Sequence, residues 1–158
     1  MSGYADKKGW TAVDGHTMIE VRIETETTLL IASDGDIVAA RQRGRSFVLQ
    51  LGFSSPEAML IATAISELAR NIVLYAEQGE IVLKPLDREG RPGVMVIARD
   101  RGPGIPDVHQ IAIRDDADRT RSGLGLRGLA RLVDECEIVS HAGQGTTVAL
   151  KKWKQDFC

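Results

Sequence analysis

Two glycine-containing segments of the sequence have residue types that could contact a ligand. Asp100, Gly102 and Gly104 follow a run typical of a buried strand. Glycines there would let a flat ligand approach the backbone while the carboxylate accepts a hydrogen bond, for example from the exocyclic amine of adenine. Gly123 and Gly125 begin a helix-like pattern, and the N–H groups and dipole of a helix N-terminus favour phosphate. Each segment could also have a purely structural role: the first as a turn, and the second as the start of a helix that binds no ligand.

The usual phosphate-binding fingerprints do not account for these glycines. Residues 123–128 have the spacing G-x-G-x-x-G, but a charged loop precedes them where the dinucleotide fingerprint requires a buried strand. A dinucleotide-binding fold is therefore not expected. The sequence contains no G-x-x-x-x-G-K-[ST], which excludes a P-loop.

A carboxylate and a carboxamide, Glu67 and Asn71, lie four residues apart in an apolar stretch. The apolar residues around them follow the spacing of one buried helical stripe: Ile61, Ile65, Leu68, Ile72 and Ala76. Glu67 and Asn71 fall roughly 100° to the side of this stripe and one turn apart. They are therefore expected at the edge of the surface that the helix covers. The alternative is a solvent-exposed face on which Arg70 is their partner.

Hydrophobic periodicity and cap residues predict the elements that position these side chains. The central helix begins near Ser54-Ser55-Pro56-Glu57 and ends at about Glu77, and an earlier helix with an acidic start spans 34–51. A third helix begins at the glycines of 123–128. Strands are predicted at 18–23, 29–32, 80–86, 93–99, 137–141 and 146–153, the last four forming two hairpins. The fold class is therefore α/β, a two-layer sandwich in which three helices cover one face of a mixed, mostly antiparallel sheet.

Composition limits the classes of function. With 158 residues, 43% of them hydrophobic, the chain can form one domain with a real core, which we expect at 18–158, with 1–17 as a tail without a structural element. A net charge of -2 gives no general attraction to nucleic acid or to a membrane surface. No signal-peptide pattern or apolar run of about 18 to 20 residues is present, so the cytoplasm is the expected location. Cys136 is expected to pack in the interior.

Four segments, in this order, resemble the nucleotide-binding boxes of the Bergerat ATP-binding fold that gyrase, histidine kinases and MutL share (GHKL). They are 67–71 (N box), 100–105 (G1 box), 123–126 (G2 box) and 143–146 (G3 region). More narrowly, residues 36–42 and 65–72 resemble the RsbT-type switch kinases of bacterial stressosomes, and this resemblance covers about residues 28–153. Taken alone, 143–146 would be read as a hairpin turn.

The resemblance implies the cofactors ATP and Mg²⁺ and a role for each matching residue. Asp100 would bind the adenine amine, Thr146 would hold a water on the ring, Asn71 would bind Mg²⁺ and Glu67 would be the general base. The implied nucleotide-binding residues are Asn71, Asp100, Gly102, Gly104, Ile105, Gly123, Leu124, Gly125 and Thr146. Arg119 and Arg121, in the charged segment 114–122, could close on the γ-phosphate.

The resemblance also implies partners. RsbT-type kinases phosphorylate Ser or Thr of STAS-domain proteins and then activate a phosphatase, here a PP2C-type enzyme. Alternatives are an anti-sigma factor kinase of the same fold, which would bind a sigma factor, and a non-catalytic module that acts only on the phosphatase. A histidine kinase is disfavoured because His16, His109 and His141 do not lie on a dimerising helix. Two features depart from the family pattern: residues 1–26 have no counterpart, and segment 114–121 is unusually charged.

Overall fold

A computed structural model of the chain describes residues 8–13, 17–22, 25–104 and 125–155. The helices are α1 Asp34–Gln50, α2 Ser55–Ala76 and α3 Gly125–Leu132. The strands are β1 Lys8–Val13, β2 Thr17–Arg22, β3 Thr27–Ile31, β4 Gly79–Arg88, β5 Arg91–Asp100, β6 Glu135–His141 and β7 Gly145–Trp153.

Strands β3 to β7 form one five-stranded sheet in the order β3-β4-β5-β7-β6, and every neighbouring pair is antiparallel. The predicted α/β class and both predicted hairpins, β4–β5 and β6–β7, are confirmed. The expectation of a mixed sheet is wrong for the described strands, because every neighbouring pair, including the interior pair β5–β7, is antiparallel. Placing β7 between β5 and β6 brings the end of β5 beside the start of β7.

The hydrophobic core lies between the helices and one face of the sheet. The register aligns Ile81, Ala98, Val148 and Ile138 in one row across four strands, and Leu83, Val96, Leu150 and Cys136 in the next. The side chains of α1, α2 and α3 that pack on these rows include Phe47, Ile61, Ile65, Leu68, Ile72 and Leu129. Cys136 packs against this core as expected, and burial raises the pKa of its thiol, which keeps it protonated.

Helix α2 is the central core helix, and its start follows the sequence signals. Ser54 caps it: the Ser54 hydroxyl accepts from the Glu57 N–H, while the Glu57 carboxylate accepts from the Ser54 N–H. By length and mean hydropathy, 1.3 over an 18-residue window, α2 could cross a membrane, but 56% of that window is buried inside the molecule. Its apolar residues are explained by the core that they form with the sheet.

Two sequence predictions of local structure need correction. Segment 1–17 was expected to lack a structural element, yet β1 pairs with β2 as an antiparallel two-stranded sheet. The sequence signal for this hairpin is the turn dipeptide Asp14-Gly15, which lies between two short runs in which apolar and polar residues can alternate.

The β4–β5 loop is shorter than the predicted 87–92. Glu89 and Gly90, with φ of 53° and 85°, form a two-residue turn, so Asp87 already pairs with Pro92.

Candidate functional site

Asp100, the last residue of β5, has one carboxylate oxygen held and one available. Its Oδ1 accepts hydrogen bonds from the Gly102 N–H at 3.0 Å and from the Thr146 N–H at 3.3 Å. Thr146 is the register partner of Asp100 on β7, so the sheet itself brings the two together. Among the described residues, Oδ2 accepts no hydrogen bond. The side chain is thereby oriented with one oxygen free for an external donor.

Two glycines allow the loop after β5 and the β6–β7 turn to lie against each other. Gly104 and Gly145 have φ of 78° and 102°, which side chains disfavour. A Cβ on Gly104 would meet the His141 carbonyl oxygen, and one on Gly145 would meet the carbonyl oxygen of Asp100. The Gly143 N–H donates to the Pro103 carbonyl at 2.8 Å and joins the two loops. The G1 and G3 segments therefore form one backbone surface beside Asp100.

Thr146 is 9% exposed, and its hydroxyl is bonded within the sheet. Its Oγ1 lies 2.9 Å from the Oγ of Ser140, its register partner on β6. Sequence reasoning did not select Ser140, because nothing in its immediate neighbourhood marks it. Counting the hairpin register outward from the β6–β7 turn would have placed it beside Thr146. Ser140 thus helps to fix the side chain proposed to face the adenine ring.

The C-terminal part of α2 packs directly on the Asp100 loop. A Cβ on Gly102 would lie 2.7 Å from Ala76 Cβ, and one on Gly79 would lie 2.9 Å from Ile72 Cγ2 and 3.2 Å from Asp100 Cβ. Such distances leave no room for a side chain. Asn71 precedes Ile72, so this close packing brings the Glu67/Asn71 helix and the Asp100 loop together in one region. Gly79 and Ala76 were not predicted as site residues.

Glu67 is buried, with only 7% of its surface exposed. Its Oε1 accepts from Arg70 Nη1 at 3.0 Å, the ion pair that the sequence allowed. Its Oε2 is enclosed and has no hydrogen-bond partner. A solvated face is therefore excluded for Glu67, and an unpaired buried carboxylate oxygen indicates a missing partner. Asn71 is half-buried, and its carboxamide forms no hydrogen bond within the described part of the chain.

Comparison with known proteins identifies the family. The model of the histidine kinase-like ATPase domain matches residues 31–152. The chain belongs to this family. The serine/threonine-protein kinase RsbT of Bacillus subtilis is 45% identical over 130 residues, which cover 81% of this chain and 96% of that protein. An anti-sigma F factor of Caldanaerobacter subterraneus is 30% identical over 120 residues, covering 72% of this chain and 82% of that protein.

A solved structure shows the same fold. The RsbU and RsbW domains of a Mycobacterium tuberculosis protein align with a TM-score of 0.57 and 22% identity, over 85% of this chain and 35% of that one. The predicted GHKL-type fold and the resemblance to RsbT are thus confirmed. Membership of an ATPase family implies the use of ATP. Asp100 Oδ2, which accepts no hydrogen bond among the described residues, leaves one acceptor next to the Gly102 and Gly104 loop.

The remaining predicted site residues lie at the edge of the ranges that the structure describes or outside them. Gly125 is the first described residue after the gap and lies in α3. Ile105, Gly123, Leu124 and segment 114–122, with Arg119 and Arg121, lie outside the described residues. Within the described ranges, no group of three or more His, Cys, Asp and Glu side chains could hold a metal ion. The implied Mg²⁺ would therefore depend on Asn71 together with phosphate oxygens and water.

Proposed function

We propose that the chain is a cytoplasmic protein serine/threonine kinase that transfers the γ-phosphate of ATP to Ser or Thr of STAS-domain partners in a partner-switching stress pathway. The observation that carries this proposal is the 45% identity to a serine/threonine-protein kinase over 96% of that protein's length. The site agrees with it, because the chain has a carboxylate suited to adenine and a second, buried carboxylate suited to proton transfer.

The adenine would be bound beside the end of β5. Asp100 Oδ2 would accept from the exocyclic amine, and the Thr146 hydroxyl would hold a water on the ring. Gly102 and Gly104 would let the ring lie against the backbone, and Ile105 would contact it. The supporting geometry is the pair of bonds that fix Asp100 Oδ1.

The phosphates would lie at the start of α3 and near Asn71. Backbone N–H groups of Gly123, Leu124 and Gly125 would donate to phosphate oxygens, aided by the helix dipole. Asn71 would hold Mg²⁺, which when bound offsets negative charge on the transferring group. The half-buried Asn71 carboxamide, without a partner among the described residues, supports this role.

Glu67 would be the general base. Its Oε2 is buried and unpaired, so a hydroxyl that reaches it would find an acceptor with no hydrogen bond to break first. Its position one turn before Asn71 puts base and metal ligand on neighbouring parts of one rigid helix.

The test is transfer of label from γ-labelled ATP to a purified STAS-domain protein. We expect label on the STAS protein and none when its acceptor Ser or Thr is replaced by Ala. Absence of label on a STAS protein that binds the chain would overturn the proposal. The same mixture, with a PP2C-type phosphatase added, tests the second partner: the freed kinase should bind and activate that phosphatase.

A second candidate is an anti-sigma factor kinase, supported by the 30% identity to an anti-sigma F factor. It would use the same nucleotide site but bind a sigma factor. Parallel pull-downs with a STAS protein and a sigma factor separate the two. A chain that only binds the phosphatase, with no phosphotransfer, would instead be a non-catalytic module.

A further inference from the structure

Arg70 is the only described side chain that hydrogen-bonds the Glu67 carboxylate. Its Nη1 donates to Oε1 at 3.0 Å, and Oε2 stays unpaired. The exposed fractions differ: 43% for the Arg70 side chain and 9% for that of Glu67. The guanidinium therefore reaches from the molecular surface to a carboxylate inside.

This ion pair is unlike the others among the described residues. The pairs Lys84–Glu26, at 3.9 Å, and Arg99–Glu80, at 3.6 Å, are longer, and both partners in each are well exposed. Exposed pairs add little to stability, and an i,i+3 pair on a helix surface is also a weak stabiliser. A buried carboxylate with one bonded and one unpaired oxygen is better explained by a chemical role of the unpaired oxygen than by a contribution to stability.

We propose that Arg70 is a positioning residue for phosphotransfer: it fixes Glu67 through Oε1 so that Oε2 alone receives the substrate proton. The proposal rests on the proposed kinase function. In the step, the acceptor hydroxyl oxygen forms a bond to the γ-phosphorus as its proton moves to Glu67 Oε2. The bond from that phosphorus to the β–γ bridging oxygen breaks, and ADP leaves.

Arginine suits this task because it stays charged and its planar fork donates along a fixed direction. Lysine would supply the charge without the planar geometry. The side chain of methionine would fill similar space without either. These two substitutions therefore separate charge, direction and packing at one position.

The test compares Arg70→Met and Arg70→Lys, with Lys84→Ala as the control that removes a cation from an exposed pair. We expect kcat for Arg70→Met to fall about 10- to 100-fold, less than the roughly 10²- to 10⁴-fold contribution of a general base itself. Nucleotide affinity and KM for ATP should be unchanged. Arg70→Lys should recover part of kcat, and Lys84→Ala should have the wild-type rate.

The same substitutions in a Glu67→Gln background show whether Arg70 acts through Glu67. We expect Arg70→Met to cause no further loss there, because the two residues act as one unit. An equal further loss in that background, or a full rate in Arg70→Met alone, overturns the inference. A wild-type chain that binds ATP but labels no STAS protein overturns the proposed function instead, so the two failures are distinguishable.

Discussion

The two carboxylates of the site are held in the same way, each by one oxygen only. Asp100 Oδ1 is fixed by two backbone N–H groups, and Glu67 Oε1 by one guanidinium. In both cases the second oxygen has no partner among the described residues. Each side chain is thus oriented while one oxygen stays unpaired, as the proposed roles require: a contact with the base of a nucleotide at Asp100 and with a hydroxyl at Glu67.

Asp100→Asn should weaken ATP binding about 5- to 150-fold, the equivalent of about 1 to 3 kcal/mol for an unpaired buried donor. The new amide group would face the adenine amine with a donor where an acceptor is needed. Titration with ATP measures this. The control is Asp87→Asn in the β4–β5 turn, where the carboxylate likewise accepts a backbone N–H, from Gly90 at 2.8 Å. Unchanged ATP affinity in Asp100→Asn would remove Asp100 from the adenine site.

Glu67→Ala should leave ATP affinity intact and lower the phosphotransfer rate by about 10²- to 10⁴-fold, since the carboxylate is needed for the proton and not for the nucleotide. The measurement is the initial rate of STAS-protein labelling at saturating ATP. Glu80→Ala, which removes a carboxylate from the exposed pair with Arg99, should keep the wild-type rate. Full phosphotransfer by Glu67→Ala would exclude Glu67 as the base.

At the scale of elements, the start of α2 is connected to the end of the chain through Glu57. The Glu57 carboxylate bonds the Ser54 cap with Oε1 and accepts the Gln155 N–H with Oε2 at 3.1 Å. Burial by itself would raise the pKa of Glu57. The hydrogen bonds from Gln155 and Ser54 and the charge of Lys152 outweigh that effect, and the pKa is lowered from 4.5. One side chain therefore holds the core helix and the segment after β7 together.

Glu57→Gln should reduce the free energy of unfolding at neutral pH by about 1 kcal/mol, because Gln can keep the capping-box geometry but loses the charge that strengthens the hydrogen bonds from Gln155 and Ser54 and attracts Lys152. Because the folded-state pKa is depressed, this stabilisation is complete above pH 4.5 and is lost as pH falls below it. Urea titrations at pH 7 and below pH 4.5 should show that the difference from wild type shrinks in acid. A difference that stays constant with pH would contradict this account of Glu57.

The sequence predicted the elements that local chemistry determines. The cap at Ser54, the acidic start of α1 and the two hairpins all follow from short-range signals, and each is present in the structure. Contacts between distant segments could not be predicted in the same way. Ser140 beside Thr146 and Gly79 beside Asp100 depend on register and helix packing, which no local pattern encodes.

At the scale of the whole molecule, the described residues form two separate sheets. β1 and β2 pair with each other, while the site residues belong to the five-stranded sheet and its helices. The family match also begins only at residue 31. A two-stranded hairpin adds little to the stability of a separate core.

Removal of residues 1–24 should therefore leave ATP affinity and the phosphotransfer rate at wild-type values. Because the deletion leaves both the core rows and the Asp100 loop intact, thermal unfolding should stay cooperative. ATP titration and a melting curve of the shortened chain measure this. Loss of ATP binding in a chain that still unfolds cooperatively would make the first 24 residues part of the site.

The central claim is phosphotransfer to a hydroxyl of a STAS-domain protein. The most direct measurement is mass spectrometry of a STAS protein after incubation with the wild-type chain, ATP and Mg²⁺. We predict a single added phosphate on one Ser or Thr, strongly reduced when Glu67→Ala replaces the wild-type chain. An unmodified STAS protein, recovered in complex with an ATP-loaded wild-type chain, would contradict the account.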